Sequence, residues 1–488
     1  MYLRLEGHDF HYEAENLCRT FFPDERINLL YNDSVPDGDS YIDTVLKSDC
    51  FSVCADINGR TACEKAVITP DFDNNRNELE RILIVLIYNV LSKITGYNPP
   101  WGVLTGVRPS KLMNSYIELF GEKRAKEIFT NDLLVCENKA ELASCVAVRE
   151  SRIMNMSRPD SFSLYISIPF CPSRCSYCSF VSHSITSNSA KKLIAPYVEL
   201  LIDEIRQCAA IAKDLSLRLE SIYIGGGTPG ILTAEQMTRI CDTVNNSFDT
   251  TTSREFTVEI GRPDTVTKEK LIALKNADVT RISINPQTLN DDVLIRIGRK
   301  HSSEETVKAF ALARETGFDN INMDLIAGLD GDTKESFDNT LNGIINLSPE
   351  NITVHTLSLK RSSYLATSDT GISSQADTVS KMLDNAQIKL TNNAYVPYYM
   401  YRQSHCVGNF ENVGWCREGY ECLYNIYMME ECHTVLACGA GAVTKLRQPG
   451  GSYIERVFNF KYPYEYIDRF QEMTLRKKRI KEFYNEYK

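Results

Sequence analysis

L-Y-I-S-I-P-F-C-P-S-R-C-S-Y-C-S-F, residues Leu164 to Phe180, is the stretch from which the rest of the chain is read. An apolar, β-prone run ends at Pro169 and leads straight into Cys171, Cys175 and Cys178. That is a C-x3-C-x2-C spacing on a loop at the carboxyl end of a strand. Thiolates are the ligands of iron–sulfur clusters, and a cubane cluster takes four. Three on one short loop leave one iron open to a small chelating molecule. The spacing differs from the C-x2-C-x2-C run of ferredoxins and from the paired C-x2-C of structural zinc sites. A zinc loop and three buried core thiols are the alternatives that the spacing leaves standing.

Outward from this loop the pattern alternates between strand and helix, as parallel βαβ units do. Candidate strands are Ser163–Ile168, Ser221–Ile224, Glu255–Ile260, Arg281–Ile284, Asn320–Ile326 and Asn351–Leu357. Helical stretches at Ala190–Lys213, Ala234–Asn246, Lys268–Lys275, Asp291–Ile297, Glu304–Glu315 and Lys334–Ile345 separate them. Six β/α units predict a partial (β/α)6 barrel over residues 160–364, with its site at the carboxyl ends of the strands.

Residues 1–155 read as a separate α+β domain. Leu3, Leu5, His8, Phe10 and Tyr12 suggest an opening strand, and Ser40–Leu46 a second one. Helical periods run through Glu78–Ile94, Lys111–Phe120, Lys123–Phe129 and Asn138–Met154, with Ser110 placed as the cap of the second. Arg108 and Lys111 beside a glycine turn suit an anion, and equally a solvated turn. Residues 365–488 read as a mixed carboxy-terminal domain covering the substrate, with a helix near Thr378–Asn393, an aromatic stretch from Tyr395 to Trp415 and a basic helical end.

A net charge of −10 argues against nucleic acid as the main partner. The longest apolar run, Ile82 to Leu91, is far short of the ~20 residues of a membrane span and reads as a buried helix. The start has no apolar leader, so the sixteen cysteines are expected as reduced thiols in the cytoplasm rather than a disulfide framework.

Further chemistry sits at the strand ends. Gly225-Gly226-Gly227-Thr228-Pro229 lets a ligand approach backbone N–H groups closely. Glu259 suits a pair of ribose hydroxyls, as acids do in dinucleotide sites. Asp324, an acid in an apolar strand, needs a partner, and Arg299 is the candidate. Gln287 follows the fourth strand. Arg402, in the Tyr398–Gln403 stretch, suits a propionate or a surface position. Cys406, Cys416, Cys422 and Cys432 leave a second cluster or plain core thiols open, and His355 and His405 leave heme ligation or core packing open.

The loop Y-I-S-I-P-F-C-x3-C-x-Y-C-x-F and the G-G-G-T-P turn resemble the radical S-adenosylmethionine (SAM) enzymes. Among these they resemble the oxygen-independent coproporphyrinogen III oxidase family with its HemN, HemW and HemZ types. The segment W-G-V-L-T-G-V-R-P from Trp101 to Pro109 is similar to the amino-terminal extension of the HemZ type. The resemblance implies a [4Fe–4S] cluster on Cys171, Cys175 and Cys178, with SAM on the open iron. It implies a SAM pocket of Tyr165, Tyr177, Gly226, Gly227, Thr228, Glu259, Gln287, Arg299 and Asp324, and by a weaker match Ser358 and Val443. Tyr165 and Arg299 are implied in catalysis as well.

The activity implied is oxidative decarboxylation of coproporphyrinogen III propionates to vinyls, giving protoporphyrinogen IX. A hydrogen is taken from the propionate β-carbon by the radical that SAM cleavage yields. A flavodoxin- or ferredoxin-type electron donor and a monomeric protein go with it. Two departures mark the chain: Phe180 stands where oxidases of the type carry a fourth Cys, and Asn285-Pro286 replaces a usual glycine in R-x-S-x-G-x-Q. A HemW-like heme-binding chaperone, or radical SAM action on another tetrapyrrole such as anaerobic heme degradation, are the alternatives.

Overall fold

The structure, a computed structural model, describes residues 1–33, 35–36, 38–68, 75–178, 183–358, 375–403 and 406–487. The chain divides into two compact units: Met1–Ala147 with Gly371–Asp377 and Tyr401–Phe410, and the remainder.

The first unit holds a five-stranded sheet of β1 (Tyr2–Glu6), β2 (Asn28–Tyr31), β3 (Tyr41–Leu46), β4 (Cys50–Ile57) and β5 (Arg60–Val67) in the order β2-β1-β3-β4-β5. The opening strand is shorter than expected. It stops at Glu6, and Tyr12 belongs to helix α1 (His11–Phe21), because Gly7 at φ 78° turns the chain. Alternate residues Leu3 and Leu5 of β1, and Phe51, Val53 and Ala55 of β4, are buried. Helix α2 (Arg76–Thr95) contains the apolar run and buries Leu83, Ile87, Val90 and Leu91. Its Asn75 side chain caps the Glu78 N–H and its end is a left-handed Gly96. No helix among the described residues is long and apolar enough to cross a membrane.

Helix α3 (Pro109–Phe120) starts with Arg108 at the cap, not Ser110. Proline at the first helical position has its φ preset and no N–H to satisfy, which moves the start forward. Helix α4 (Glu122–Glu127) follows, and α5 (Glu137–Met154) carries the chain into the second unit. Register pairs Cys54 with Cys63 across the β4–β5 hairpin, and the two form a disulfide. That corrects the expectation of reduced thiols for this pair alone; the other cysteines are not disulfide-bonded.

The second unit is an eleven-stranded sheet. Six parallel strands follow in sequence: β6 (Ser161–Ile168), then, past the two-residue pieces β7 (Phe170–Cys171) and β8 (His183–Ser184), β9 (Arg218–Gly226), β10 (Glu255–Gly261), β11 (Arg281–Ile284), β12 (Ile321–Ala327) and β13 (Asn351–Thr356). Between them run α6 (Asn188–Lys191), α7 (Ile194–Asp214), α8 (Ala234–Ser247), α9 (Lys268–Asn276), α10 (Asp291–Arg296), α11 (Ser303–Glu315) and α12 (Lys334–Leu347). Thr233 and Ser302 open α8 and α11 with capping boxes, closed by Gln236 and Glu305. This is the expected partial barrel.

The boundary expected after residue 364 does not mark a separate domain. After α13 (Ala376–Asn392), β14 (Val396–Arg402) and β15 (Glu411–Cys416) extend the sheet beyond β13. After α14 (Leu423–Glu430), β16 (Thr434–Cys438), β17 (Val443–Arg447) and β18 (Ile454–Phe458) extend it beyond β6. Unpaired edges of a parallel sheet expose rows of N–H and C=O groups, and these later strands pair with them. Helices α15 (Pro463–Asp468) and α16 (Phe470–Glu486) end the chain.

Candidate active site

Period-two alternation turns one polar residue in two toward the barrel interior, so the inner faces form layers. At the amino ends, Glu255 accepts from the N–H groups of Leu423 (2.8 Å) and Tyr424 (3.3 Å), and Arg281 donates to the Tyr420 carbonyl at 3.1 Å. The segment before α14 thus closes the barrel from below. In the middle, Ser163 and Ser221 bond at 2.7 Å, Ser163 reaches His433 at 2.8 Å, and Asn322 donates to Ser283 at 2.7 Å. The upper layer carries Tyr165, Tyr223, Glu259, Asn285, Asp324 and His355.

Tyr165, Tyr223 and Tyr424 stack on one another, with ring centroids 4.6 to 6.3 Å apart. Glu259 accepts from Tyr223 Oη at 3.3 Å and from Asn285 Nδ2 at 2.9 Å. Burial, and then the Asp324 carboxylate, push the Glu259 carboxyl up to about 7. Asp324 takes a bond from Asn322 Nδ2 at 2.8 Å and lies 3.8 Å from His355 Nε2. Although burial opposes it, the nearby His355 imidazole holds the Asp324 carboxyl below its ordinary range.

The expected Asp324–Arg299 pair is not formed. Arg299 is buried and donates to the Asn285 carbonyl at 2.6 Å and to Tyr177 Oη at 3.1 Å. Its guanidinium therefore faces the cysteine loop, where the Cys175 thiol helps to favour its charged form. Asp324 finds its partners on its own strand and the next instead. Position Asn285, where the resemblance led us to expect glycine, uses both ends of its side chain: Nδ2 to Glu259, and Oδ1 accepting from Ser283 at 2.6 Å.

The cysteine loop leaves β6 and is pinned at several points. Ser176 N–H donates to the Ile297 carbonyl at 3.1 Å, Ser173 Oγ to Gly298 at 3.3 Å, and Arg262 to Ser173 at 2.6 Å. The glycines of the next strand end make room for it. A Cβ on Gly227 would stand 2.6 Å from the Phe170 carbonyl oxygen and 3.0 Å from Cys171 Sγ. A Cβ on Gly225 would stand 3.0 Å from a Glu259 oxygen. The N–H groups of Gly227 and Thr228, expected to face a ligand, donate instead to Ile168 and Phe170 at 2.8 Å each, and Thr228 Oγ1 meets Cys171 Sγ at 3.4 Å. The turn buttresses the loop.

Several groups fit a bound cluster and a polar cofactor. Buried Arg299 Nε, Ser176 Oγ and Ser358 Oγ have no hydrogen-bond partner. Unpaired buried donors are costly, and a polar group seated among them would use them. Among the described residues no three His, Cys, Asp or Glu side chains converge as the ligands of one ion. Burial pushes the Cys416 and Cys422 thiols up, as in a protein core.

Gln287 enters the sheet through its backbone, donating to the Asp324 carbonyl at 2.9 Å, at φ 73°. Val443 opens β17, two strands beyond β6, paired with Phe458. Arg402 does not wait for a propionate. It is buried, donates to the carbonyls of Asn409 (2.8 Å), Leu104 (2.6 Å) and Gly106 (3.3 Å), and lies over the Trp101 ring. It thereby organises the W-G-V-L-T-G segment. Phe180 and His405 lie outside the described residues. Sequence reasoning missed Tyr223, Asn285 and Tyr424 as members of the site and gave His355 no place in it. The signal for the strand residues was the period-two run of polar side chains in strands taken as apolar.

Residues 165–344 match the Radical SAM superfamily. The fold resembles coproporphyrinogen III oxidase (HemN) from Escherichia coli, with a TM-score of 0.50 at 21% identity over 67% of this chain and 73% of that one. Fold and cysteine loop together define a radical SAM protein, which works with a [4Fe–4S] cluster and SAM. The oxygen-independent coproporphyrinogen-III oxidase-like protein HemZ of Bacillus subtilis is 34% identical over 97% of this chain and 96% of its own. The heme chaperone HemW of the same organism is 37% identical over 40% of this chain and 50% of its own. The chain belongs to the HemZ type of the oxygen-independent coproporphyrinogen III oxidase family.

Proposed function

We propose that the protein converts propionate side chains of coproporphyrinogen III to vinyl groups without oxygen, giving protoporphyrinogen IX. The observation that carries this reading is a three-thiol loop above a walled polar layer, in a chain related to HemZ from end to end. In this reading Cys171, Cys175 and Cys178 would hold the cluster and leave a place on it for SAM. When bound, the pair supplies one-electron cleavage of a carbon–sulfur bond and a radical that removes hydrogen from an unactivated C–H.

The chain's own residues do the rest. The Gly226-Gly227-Thr228 turn lies against the methionine end of SAM, its Gly227 and Thr228 N–H groups being taken by the cysteine loop, and Glu259 receives the ribose hydroxyls. Gln287, Asp324, Ser358 and the backbones of Tyr177 and Val443 complete that pocket. Arg299, held by the Asn285 carbonyl, donates to Tyr177 Oη and so fixes the cysteine loop over the pocket. Tyr165, stacked with Tyr223 and Tyr424, gives a wall that excludes water from the reacting carbon. A flavodoxin- or ferredoxin-type protein supplies the electron that cleaves SAM, and the substrate radical, as it loses CO2, passes one electron to a one-electron acceptor such as the oxidised form of that protein.

The test is anaerobic. The protein is reconstituted with iron and sulfide and given SAM, a reductant and coproporphyrinogen III, and tetrapyrroles and 5′-deoxyadenosine are followed by mass spectrometry. Stepwise loss of two CO2 with deoxyadenosine in step is the expected result. The second reading, a heme-binding chaperone, draws on the identity to HemW across the barrel. It predicts tight heme binding, seen as a Soret band, without any decarboxylation.

A further inference from the structure

His355 stands on the inner face of β13, and none of the motifs gives it a task. Its Nε2 lies 3.8 Å from Asp324 Oδ2, while Asn322 Nδ2 holds the other Asp324 oxygen at 2.8 Å. The Asn412 side chain, from β15, also favours the charged imidazole. Some 26% of the His355 side chain and 16% of that of Asp324 remain accessible. The layer beneath them, with Asn322 and Thr353, is closed. This pair therefore looks out at the open end of the barrel, beside Glu259.

Two carboxylates this deep repel each other unless a cation offsets them. Arg299, the cation expected to do so, turns to Tyr177 and the Asn285 carbonyl instead. The groups that face the Glu259–Asp324 pair are Tyr165 and Tyr223 from β6 and β9, Asn285, and His355. Of these only His355 can carry positive charge.

We propose that His355 is a positioning residue of the cofactor site: as an imidazolium against Asp324, it lets Asp324 and Glu259 stand side by side as carboxylates and keeps Glu259 ready for ribose hydroxyls. This rests on the ribose reading of Glu259 given above. Supporting it, burial disfavours the imidazolium, but Asp324 overcomes this and raises the His355 pKa. Burial and Asp324 raise the Glu259 carboxyl to about 7, and His355 pulls it the other way.

The test measures SAM affinity by calorimetry on the full chain carrying its reconstituted cluster, from about pH 5.5 to about pH 9, spanning the titration of the group. Wild-type affinity is expected to rise with pH through a midpoint near the Glu259 value. His355→Gln moves this midpoint up by about one pH unit and weakens binding about fivefold at neutral pH. Asp324→Asn moves it down. Loss of fold cannot shift a midpoint in both directions, and cluster absorbance reports folding in each variant. The SAM amine titrates alike in every protein and cancels in the comparison. A wild-type profile in His355→Gln overturns the proposal. Glu259→Gln separates the two readings: if it keeps the wild-type profile, the ribose reading fails and the proposal falls with it. If it flattens the profile while His355→Gln leaves it unmoved, the proposal alone fails.

Discussion

Two buried ionic clusters lie in the barrel unit, and they are finished to different degrees. Behind β16, Glu204 accepts from the N–H of Gly439 and the hydroxyl of Tyr466 at 2.7 Å each, from Asn459 at 2.8 Å and from Lys477 at 2.9 Å. Lys477 also donates to the Ala437 carbonyl, so both charges are consumed. Above β10 and β12, by contrast, Asp324 and His355 stand 3.8 Å apart, Tyr223 reaches Glu259 at 3.3 Å, and Arg299 Nε has no partner. A cluster whose charges are paired ties α7, β16 and α16 together. One left short of bonds, and open at one end, is arranged for something that is not protein.

The largest effect tests the loop beside the unfinished cluster. Cys171→Ala, Cys175→Ala and Cys178→Ala are each expected to abolish the visible absorbance of the cluster and SAM cleavage, measured as 5′-deoxyadenosine, by more than about a hundredfold. Retained cleavage in any one of them would sink the ligand assignment. Gly227→Ala comes next. Its Cβ meets the Phe170 backbone, so the loop must shift, and iron content after reconstitution is expected to fall well below wild type.

Stability separates the clusters directly. Lys477→Met leaves the Glu204 charge buried without its cation and is expected to cost about 3 kcal/mol in denaturant unfolding, with SAM affinity in the folded protein unchanged. Glu259→Gln should do the reverse: lost SAM affinity with no loss of stability.

The pH dependence sharpens the same contrast. Folding raises the Glu259 carboxyl from 4.5 to about 7, so across this window the folded chain keeps a proton that the unfolded chain has released. Its contribution to stability is present below the lower value and lost as pH rises through the upper one. Thermal unfolding without SAM should show this slope in wild type and a shallower one in Glu259→Gln; equal slopes would remove Glu259 from the buried pair.

The smallest effect belongs to the first unit. Arg402→Lys gives up part of a guanidinium fork shared among three carbonyls and should lower stability by about 1–2 kcal/mol, without touching SAM affinity. A selective loss of tetrapyrrole turnover would instead return Arg402 to the substrate.

The barrel was legible because its signals are local. Alternating strands and helices, caps such as Thr233 and Ser302, and three cysteines on one loop need only short stretches of chain, and the observed strands lie within a few residues of those expected. The miss at Ser110 is local too, since Pro109 outcompeted it for the helix start. The Cys54–Cys63 pair depended on a hairpin register that was not read.

By itself, then, the sequence determined the class of protein: the cluster loop, the glycine turn behind it and the parallel strands that present both. Only the tertiary structure decided which charges meet. Arg299 and Asp324 suit each other chemically, yet the arginine enters from the loop after α10 and reaches Tyr177, while the aspartate points from β12 to its neighbour His355. Residues 365–488 read as a separate cover, yet their strands pair with both edges of the barrel sheet. Ion pairs and edge pairings join residues far apart in the chain, so strand order and register select them, and no short window of sequence contains either.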